Sequence, residues 1–149
     1  MRSPIPQNQT AIAYFSASNR DRLRLDILKS IYYLFLPMKL PNGDHPEISM
    51  QKILGYCLNF NHDKGKDKAR VFQSRLGITS QNADHLVELI QIAAVEGEVV
   101  QESNTKFGKE YKVDWEIPNT GGTELRTIWE VSIEAGYPRL ISAFLKREK

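Results

Sequence analysis

The sequence predicts an α+β domain, with N-terminal helices packed on one face of a four-stranded antiparallel meander. Three observations carry this. Apolar residues recur at helical spacing up to Val95, then switch to alternation after Gly97. The segments after Gly97 are rich in β-branched and aromatic residues, as strands require. The connectors Asn104–Gly108, Pro118–Gly122 and Glu134–Pro138 are short and turn-rich, so neighbouring strands must pair antiparallel.

Residues 1–19 carry Pro4, Pro6 and several Gln, Asn and Ser without periodicity, and they read as a disordered segment. Residues 21–36 suit a helix: Asn19 can cap it, and Leu23, Ile27, Leu28, Ile31, Leu34 and Phe35 follow helical spacing until Pro37 stops it. At Met38 the texture changes, and Pro41-Asn42-Gly43-Asp44 forms a turn. Two readings of residues 1–37 stand side by side: an upstream extension before a natural start at Met38, or a genuine helix packed on the domain of residues 38–149.

A short helix is expected from Ile48 or Ser49 to about Leu58, burying Ile53, Leu54 and Cys57. After the loop Asn59–Gly65, a second runs from about Asp67 to Leu76, buries Ala69, Val71, Phe72 and Leu76, and ends at Gly77. Thr79 caps the third and longest, which reaches about Val95 with Leu86, Leu89, Ile90, Ala93 and Ala94 as its apolar stripe. The strands are Glu98–Ser103, Lys109–Ile117, Thr123–Ile133 and Arg139–Leu145. Tyr111, Val113, Trp115 and Ile117 share one face, and Leu125, Thr127, Trp129 and Val131 alternate with Arg126, Ile128, Glu130 and Ser132. A sheet with one polar face needs one cover, so the helices belong on the Trp115 and Trp129 side and the other face stays open to a ligand.

Composition narrows function by exclusion. A chain of 149 residues with 41% apolar and 26% charged residues fits one globular domain that needs no staples. Cys57 is the single cysteine, which rules out an intrachain disulfide and a four-cysteine zinc site and suits a reducing cytoplasm. The longest apolar stretch, Ile31–Met38, is far short of a membrane span. The net charge of +2 is uneven: residues 1–37 hold five basic and two acidic groups, which leaves the rest at −1. Any nucleic-acid site is therefore a local patch rather than a global field.

That patch is best sought at Asn61–Arg70, where His62 sits in a loop before Gly65 and a helix start dense in Lys66, Lys68 and Arg70. A histidine moves protons near neutral pH, and lysine and arginine hold a phosphate and stabilise charge that builds on it. In an arbitrary protein such a run is more often a solvated basic loop, and no G-x-x-x-x-G-K-S/T phosphate loop occurs here. A second cluster lies on the strands: Arg126 and Thr127 on the third, Arg139 and Ser142 on the fourth. Arg126 and Thr127 point to opposite faces, so only one of them can line a given site. Taken alone, Thr127 is a packing residue and Arg126 a solvated one. His45 and His85 read as surface residues, Cys57 as core, and the three histidines lack metal-ligand spacing. No cofactor motif is present.

Residues 38–144 resemble an uncharacterised bacterial domain family, abundant in cyanobacteria and found at the C-termini of polymorphic toxins. The matching pieces are Leu40-Pro41-Asn42-Gly43-Asp44, Tyr56-Cys57-Leu58-Asn59, Asn61-His62, Gly65, Lys68-Ala69-Arg70, Phe72, Leu76-Gly77, Phe107-Gly108, Arg126-Thr127-Ile128-Trp129 and Pro138–Phe144. Helices followed by a meander are also similar to the barnase/EndoU/colicin/RelE group of ribonuclease folds. That resemblance implies metal-independent cleavage of RNA through the ribose 2′-OH, and an antitoxin or immunity protein as partner. It gives His62 acid or base work, Lys68, Arg70, Arg126 and Arg139 the phosphate, and Thr127 or Ser142 positioning. The alternative is a non-catalytic binding module that acts as an antitoxin-like or regulatory partner. The −1 balance of residues 38–149 departs from the basic character common in such toxins and favours one specific RNA target.

Overall fold

The computed structural model describes residues 19–147, so the segment expected to be disordered lies outside the described residues but for Asn19. The chain divides into two compact units, Met1–Leu36 and Pro37–Lys149. The first carries helix α1, Asn19–Phe35. No helix among the described residues is long and apolar enough to cross a membrane.

The second unit opens with α2, Met50–Lys52, a single turn whose N-cap Ser49 accepts a hydrogen bond from the Lys52 amide. It runs on into a π-helical turn, Ile53–Cys57, closed by the Leu58 amide on the Ile53 carbonyl at 2.9 Å. The wider turn puts Ile53, Cys57 and Leu58 on the buried side and swings Leu54 outward, where it is 42% exposed. The sequence pattern, read at α-helical spacing, had placed Leu54 in the core.

Helix α3, Lys66–Leu76, buries Ala69 and Phe72 and ends at Gly77, whose φ of 66° is the left-handed conformation glycine adopts without penalty. The Gly77 amide bonds the Gln73 carbonyl and the Ile78 amide that of Phe72, so the last turn is closed. Thr79 and Asn82 exchange capping bonds around a 3-10 turn, Ser80–Asn82, and α4 follows as Ala83–Glu96. The apolar stripe expected on α4, from Leu86 to Ala94, is buried in full.

The strands are β1 Glu98–Asn104, β2 Gly108–Glu116, β3 Glu124–Ser132 and β4 Pro138–Leu145, paired antiparallel in the order β1-β2-β3-β4. The α+β architecture is the one the sequence predicts. Val113, Leu125, Trp129 and Leu140 pack against Ile53, Phe72, Leu86 and Ile90 in one core. Each such buried side chain contributes about 1.5–3 kcal/mol, which fixes the register. Trp115 and Trp129 share the helix side of the sheet, as their alternation requires.

Two features define the surroundings of β4. A bulge between Ile128 and Trp129 of β3 and their partners brings Ser142 opposite Ile128 and Arg139 opposite Glu130. The free edge of β4 is covered rather than open. The Glu47 amide bonds the Pro138 carbonyl, the Leu140 amide bonds the Glu47 carbonyl, and Lys52 Nζ reaches the Leu140 carbonyl. Residues of α2, α3 and their connecting loop are thereby carried along the margin of the sheet's open face.

Candidate functional site

The loop between the π turn and α3 is built around His62. Its Nδ1 accepts hydrogen bonds from the amides of Lys64 at 3.1 Å and Gly65 at 3.0 Å, and its carbonyl accepts from Lys66 at 2.9 Å. His62 thus closes the loop ahead of α3 through the amides of Lys64 and of the N-cap residue Gly65, as an Asn or Asp side chain does in a turn, while α3 itself has no side-chain cap. Because Nδ1 accepts, the proton of the neutral ring sits on Nε2, which has no hydrogen-bond partner among the described residues. The ring stands edge-on to Tyr56, with centroids 4.8 Å apart. Gly65 permits this packing, since a Cβ there would run into the Tyr56 carbonyl.

From Tyr56 the contacts continue into the sheet. Lys68 Nζ lies 3.4 Å from Tyr56 Oη and 5.5 Å from the centre of that ring. It lies 4.4 Å from the centre of the Phe144 ring on β4. Asp67, Lys68, Val71, Phe144, Leu145 and Arg147 line a hollow of about 300 Å³. Phe144 is the register partner of Arg126, which is in turn the partner of Asp114. One path of neighbours therefore runs from the imidazole across the β4 edge to the charged face of β2 and β3.

The charged end of that path is occupied. Arg126 grips Asp114 through Nε at 2.7 Å and a second nitrogen at 2.9 Å, while Lys146 reaches the same carboxylate at 3.1 Å. Burial pushes the Asp114 carboxyl up, but hydrogen bonds and charge from Arg126 and Lys146 outweigh it and hold the group below the usual carboxylate range. The Asp114 hydrogen bond raises Arg126 in turn.

The residues expected from the sequence thus fall into three groups. His62 and Lys68 come together through Tyr56, and Arg70 is exposed on the same helix with Asp67 4.0 Å away. Arg126 neighbours them but is turned onto Asp114. Arg139 lies at the opposite end of β4 from Phe144, about 17 Å away at strand rise, where it pairs with Glu130 at 2.7 Å. The two hydroxyls are inside the protein. Thr127 is fully buried, receives a 2.7 Å hydrogen bond from Trp129 Nε1 and donates toward the Val113 carbonyl at 3.5 Å. Ser142 is buried, and its Oγ has no hydrogen-bond partner among the described residues. Cys57 is in the core, and burial pushes its thiol up, away from the reactive thiolate.

Sequence reasoning missed Tyr56 and Phe144, the rings that join the imidazole to the ammonium. The one trace of them was their place in the motifs Tyr56-Cys57-Leu58-Asn59 and Pro138–Phe144. No group of three His, Cys, Asp or Glu side chains among the described residues is arranged to hold a metal ion.

The model of a family described as Domain of unknown function (DUF6883) matches residues 39–147. A search of curated proteins finds no match. Among solved structures, the fold is similar to a chain of the contact-dependent growth inhibition toxin–immunity protein complex from Klebsiella pneumoniae 342. The TM-score is 0.52 at 17% identity, and the match covers 68% of this chain and 93% of that one. Neither comparison confirms a likeness to the barnase/EndoU/colicin/RelE group.

Proposed function

We infer that this chain, which belongs to the DUF6883 family of domains of unknown function, is the effector half of a toxin–immunity pair and cleaves RNA without a metal ion. The observation that carries this reading is the contact chain His62–Tyr56–Lys68–Phe144. It brings an imidazole held at Nδ1 by two amides and an ammonium that also reaches Phe144 onto the same Tyr56 ring. The shared fold with a chain of a toxin–immunity complex supports the setting.

The chemistry follows from the groups. A ribose 2′-OH attacks the adjacent phosphorus, and the 5′ oxygen leaves. Lys68 balances the charge that builds on the phosphate oxygens. His62 Nε2–H can donate a hydrogen bond to the leaving oxygen, which takes its proton from water. Asp67 lines the same hollow and is the carboxylate placed to take the proton of the attacking hydroxyl. Phe144, which lines the hollow, offers a contact to an unpaired base. Arg70, close by on the same helix, draws in the phosphate chain.

The test is cleavage of a labelled single-stranded RNA by the full chain in EDTA, compared with His62→Asn. Asparagine keeps an oxygen where Nδ1 accepts the two amides and removes Nε2. Cleavage lowered about a hundredfold or more in a variant that still folds supports the reading. Equal cleavage by both proteins, or none by either, defeats it.

A second reading, a non-catalytic module that binds a partner, is favoured by a different observation. Arg126 and Arg139, the two strand cations expected to hold phosphate, are both closed onto carboxylates. A full chain that cleaves no RNA and does not slow a host's growth, yet binds its partner, would be that module.

A further inference from the structure

At the far end of β4 from Lys68, the β1–β2 and β3–β4 turns meet and leave a second, unassigned surface. The Ile133 amide bonds the Phe107 carbonyl at 3.0 Å, which locks the two turns together. Asn42 Nδ2 donates to the Gly136 carbonyl at 2.7 Å and pins the second turn. The fixed tip holds three large apolar side chains in solvent: Phe107 at 67%, Ile133 at 84% and Tyr137 at 53% exposure. Exposed apolar residues gathered on a rigid tip mark a contact surface, whereas single ones scattered over a protein do not.

Beside them is a pocket of about 430 Å³, lined in part by Glu47, Phe107, Glu130, Tyr137 and Arg139. A second hollow, lined by His45, Pro46, Glu47 and Tyr137, adjoins it through the two residues they share. The charge here has a fixed arrangement. Register places Glu110, Glu130, Arg139 and Glu47 in one row across the sheet, three carboxylates against one guanidinium. Glu130 takes that guanidinium. Glu47 is held by both its backbone bonds to β4, and its carboxylate has no ion-pair partner among the described residues.

We propose that this tip and pocket dock a partner protein through an arginine side chain flanked by apolar residues. A guanidinium would lie against the exposed rings of Tyr137 and Phe107 and give two parallel hydrogen bonds to Glu47. The flanking residues would cover Phe107 and Ile133. The surplus of negative charge repels a phosphate backbone, which sets this surface apart from the Lys68 hollow. The proposal rests on the toxin–immunity reading for the existence of a partner, and it leaves His62 and Lys68 uncovered.

The full chain, isotope-labelled for amide NMR, is titrated with N-acetyl-Leu-Arg-Leu-amide and with the same peptide carrying citrulline in place of arginine. The arginine peptide should give saturable shifts at Glu47, Phe107, Glu130 and Tyr137, with affinity about tenfold above that of the citrulline peptide. Glu47→Gln and Phe107→Ala, whose side chains are solvent-exposed, should each weaken binding about tenfold while the rest of the spectrum is unchanged. Equal binding of the two peptides, no saturable shift, a 5′-nucleotide that moves these amides more than the peptide, or a self-associating chain whose dimer hides them would each overturn the proposal. No RNA is present, so failure here leaves the cleavage test standing.

Discussion

The Lys68 ammonium lies 4.4 Å from the centre of the Phe144 ring, joining a helix that begins at an imidazole loop to a strand that carries the sheet's open face. The two residues are far apart in sequence. They meet because the β4 edge is sealed by the Glu47 segment and Lys52, which lays α3 alongside it. An ammonium on a ring in a partly dry hollow contributes about 0.5–1 kcal/mol to stability. Lys68→Met should therefore change the melting temperature by only a few degrees. The same variant should lower RNA cleavage about a hundredfold, because it removes the positive charge that faces the transition state. Lys68→Arg should restore part of the rate. Calorimetry and single-turnover cleavage check the two halves separately.

His62→Ala should be less stable than the parent by about 1 kcal/mol, since the Lys64 and Gly65 amides ahead of α3 lose their acceptor. His62→Asn should recover most of that loss. The melting temperatures of the two variants decide it, and equal values would mean that the Nδ1 bonds carry no weight. Gly65→Ala should cost more than either, because the added methyl meets the Tyr56 carbonyl, which belongs to backbone and cannot swing away.

Much of this fold was legible in the sequence, and the reasons differ by element. The alternation Leu125, Thr127, Trp129 settled which residues face the helices, because a strand's side-chain period is fixed at two. It also held the clue that Thr127 and Trp129, two apart on one face, are neighbours able to bond each other. Leu54 misled because the helix widens by one residue per turn just there, and nothing in Ile53-Leu54-Gly55-Tyr56-Cys57 marks a π turn. The bulge opposite Ile128 was equally silent, so the pairing of Ser142 and Arg139 with β3 could be stated only with coordinates. At the site, the chemistry-bearing His62 and Lys68 stood out by composition. Tyr56 and Phe144 did not, because a ring packed between polar groups reads as ordinary core.

Thr127→Val separates packing from chemistry. The variant keeps the shape but leaves Trp129 Nε1–H buried without its 2.7 Å acceptor. The expected cost is about 1–3 kcal/mol. The folded fraction should cleave RNA at the parent rate, because the Thr127 side chain has no exposed surface. A large loss of cleavage at unchanged stability would put the hydroxyl back among the catalytic groups.

Acid should act through Asp114. Its carboxyl is held below the ordinary range in the folded protein, so the unfolded chain binds the proton more readily. The stability it contributes is therefore full above the unfolded value, near 4, and is lost as pH falls through the lower folded value. Asp114→Asn should remove this acid-side slope and cost about 1 kcal/mol at neutral pH. Denaturant midpoints measured for both proteins between neutrality and acid would show it. Parallel curves would mean that another carboxylate governs the acid limb.

Ser142 gives the sharpest contrast of sign. The Ser142 hydroxyl is buried and bonds no group among the described residues, so Ser142→Ala should leave stability unchanged or raise it by up to about 1 kcal/mol. Two residues from Phe144 on β4, Ser142 lies on the same face of the strand as the ring under Lys68. If an arriving phosphate opens that region, Ser142→Ala would bind RNA more weakly while melting higher. If the hydroxyl only fills space, the melting point rises and the affinity stays. Measuring both on one preparation distinguishes a group retained for a ligand from one retained by accident, and a fall in melting temperature would contradict both accounts.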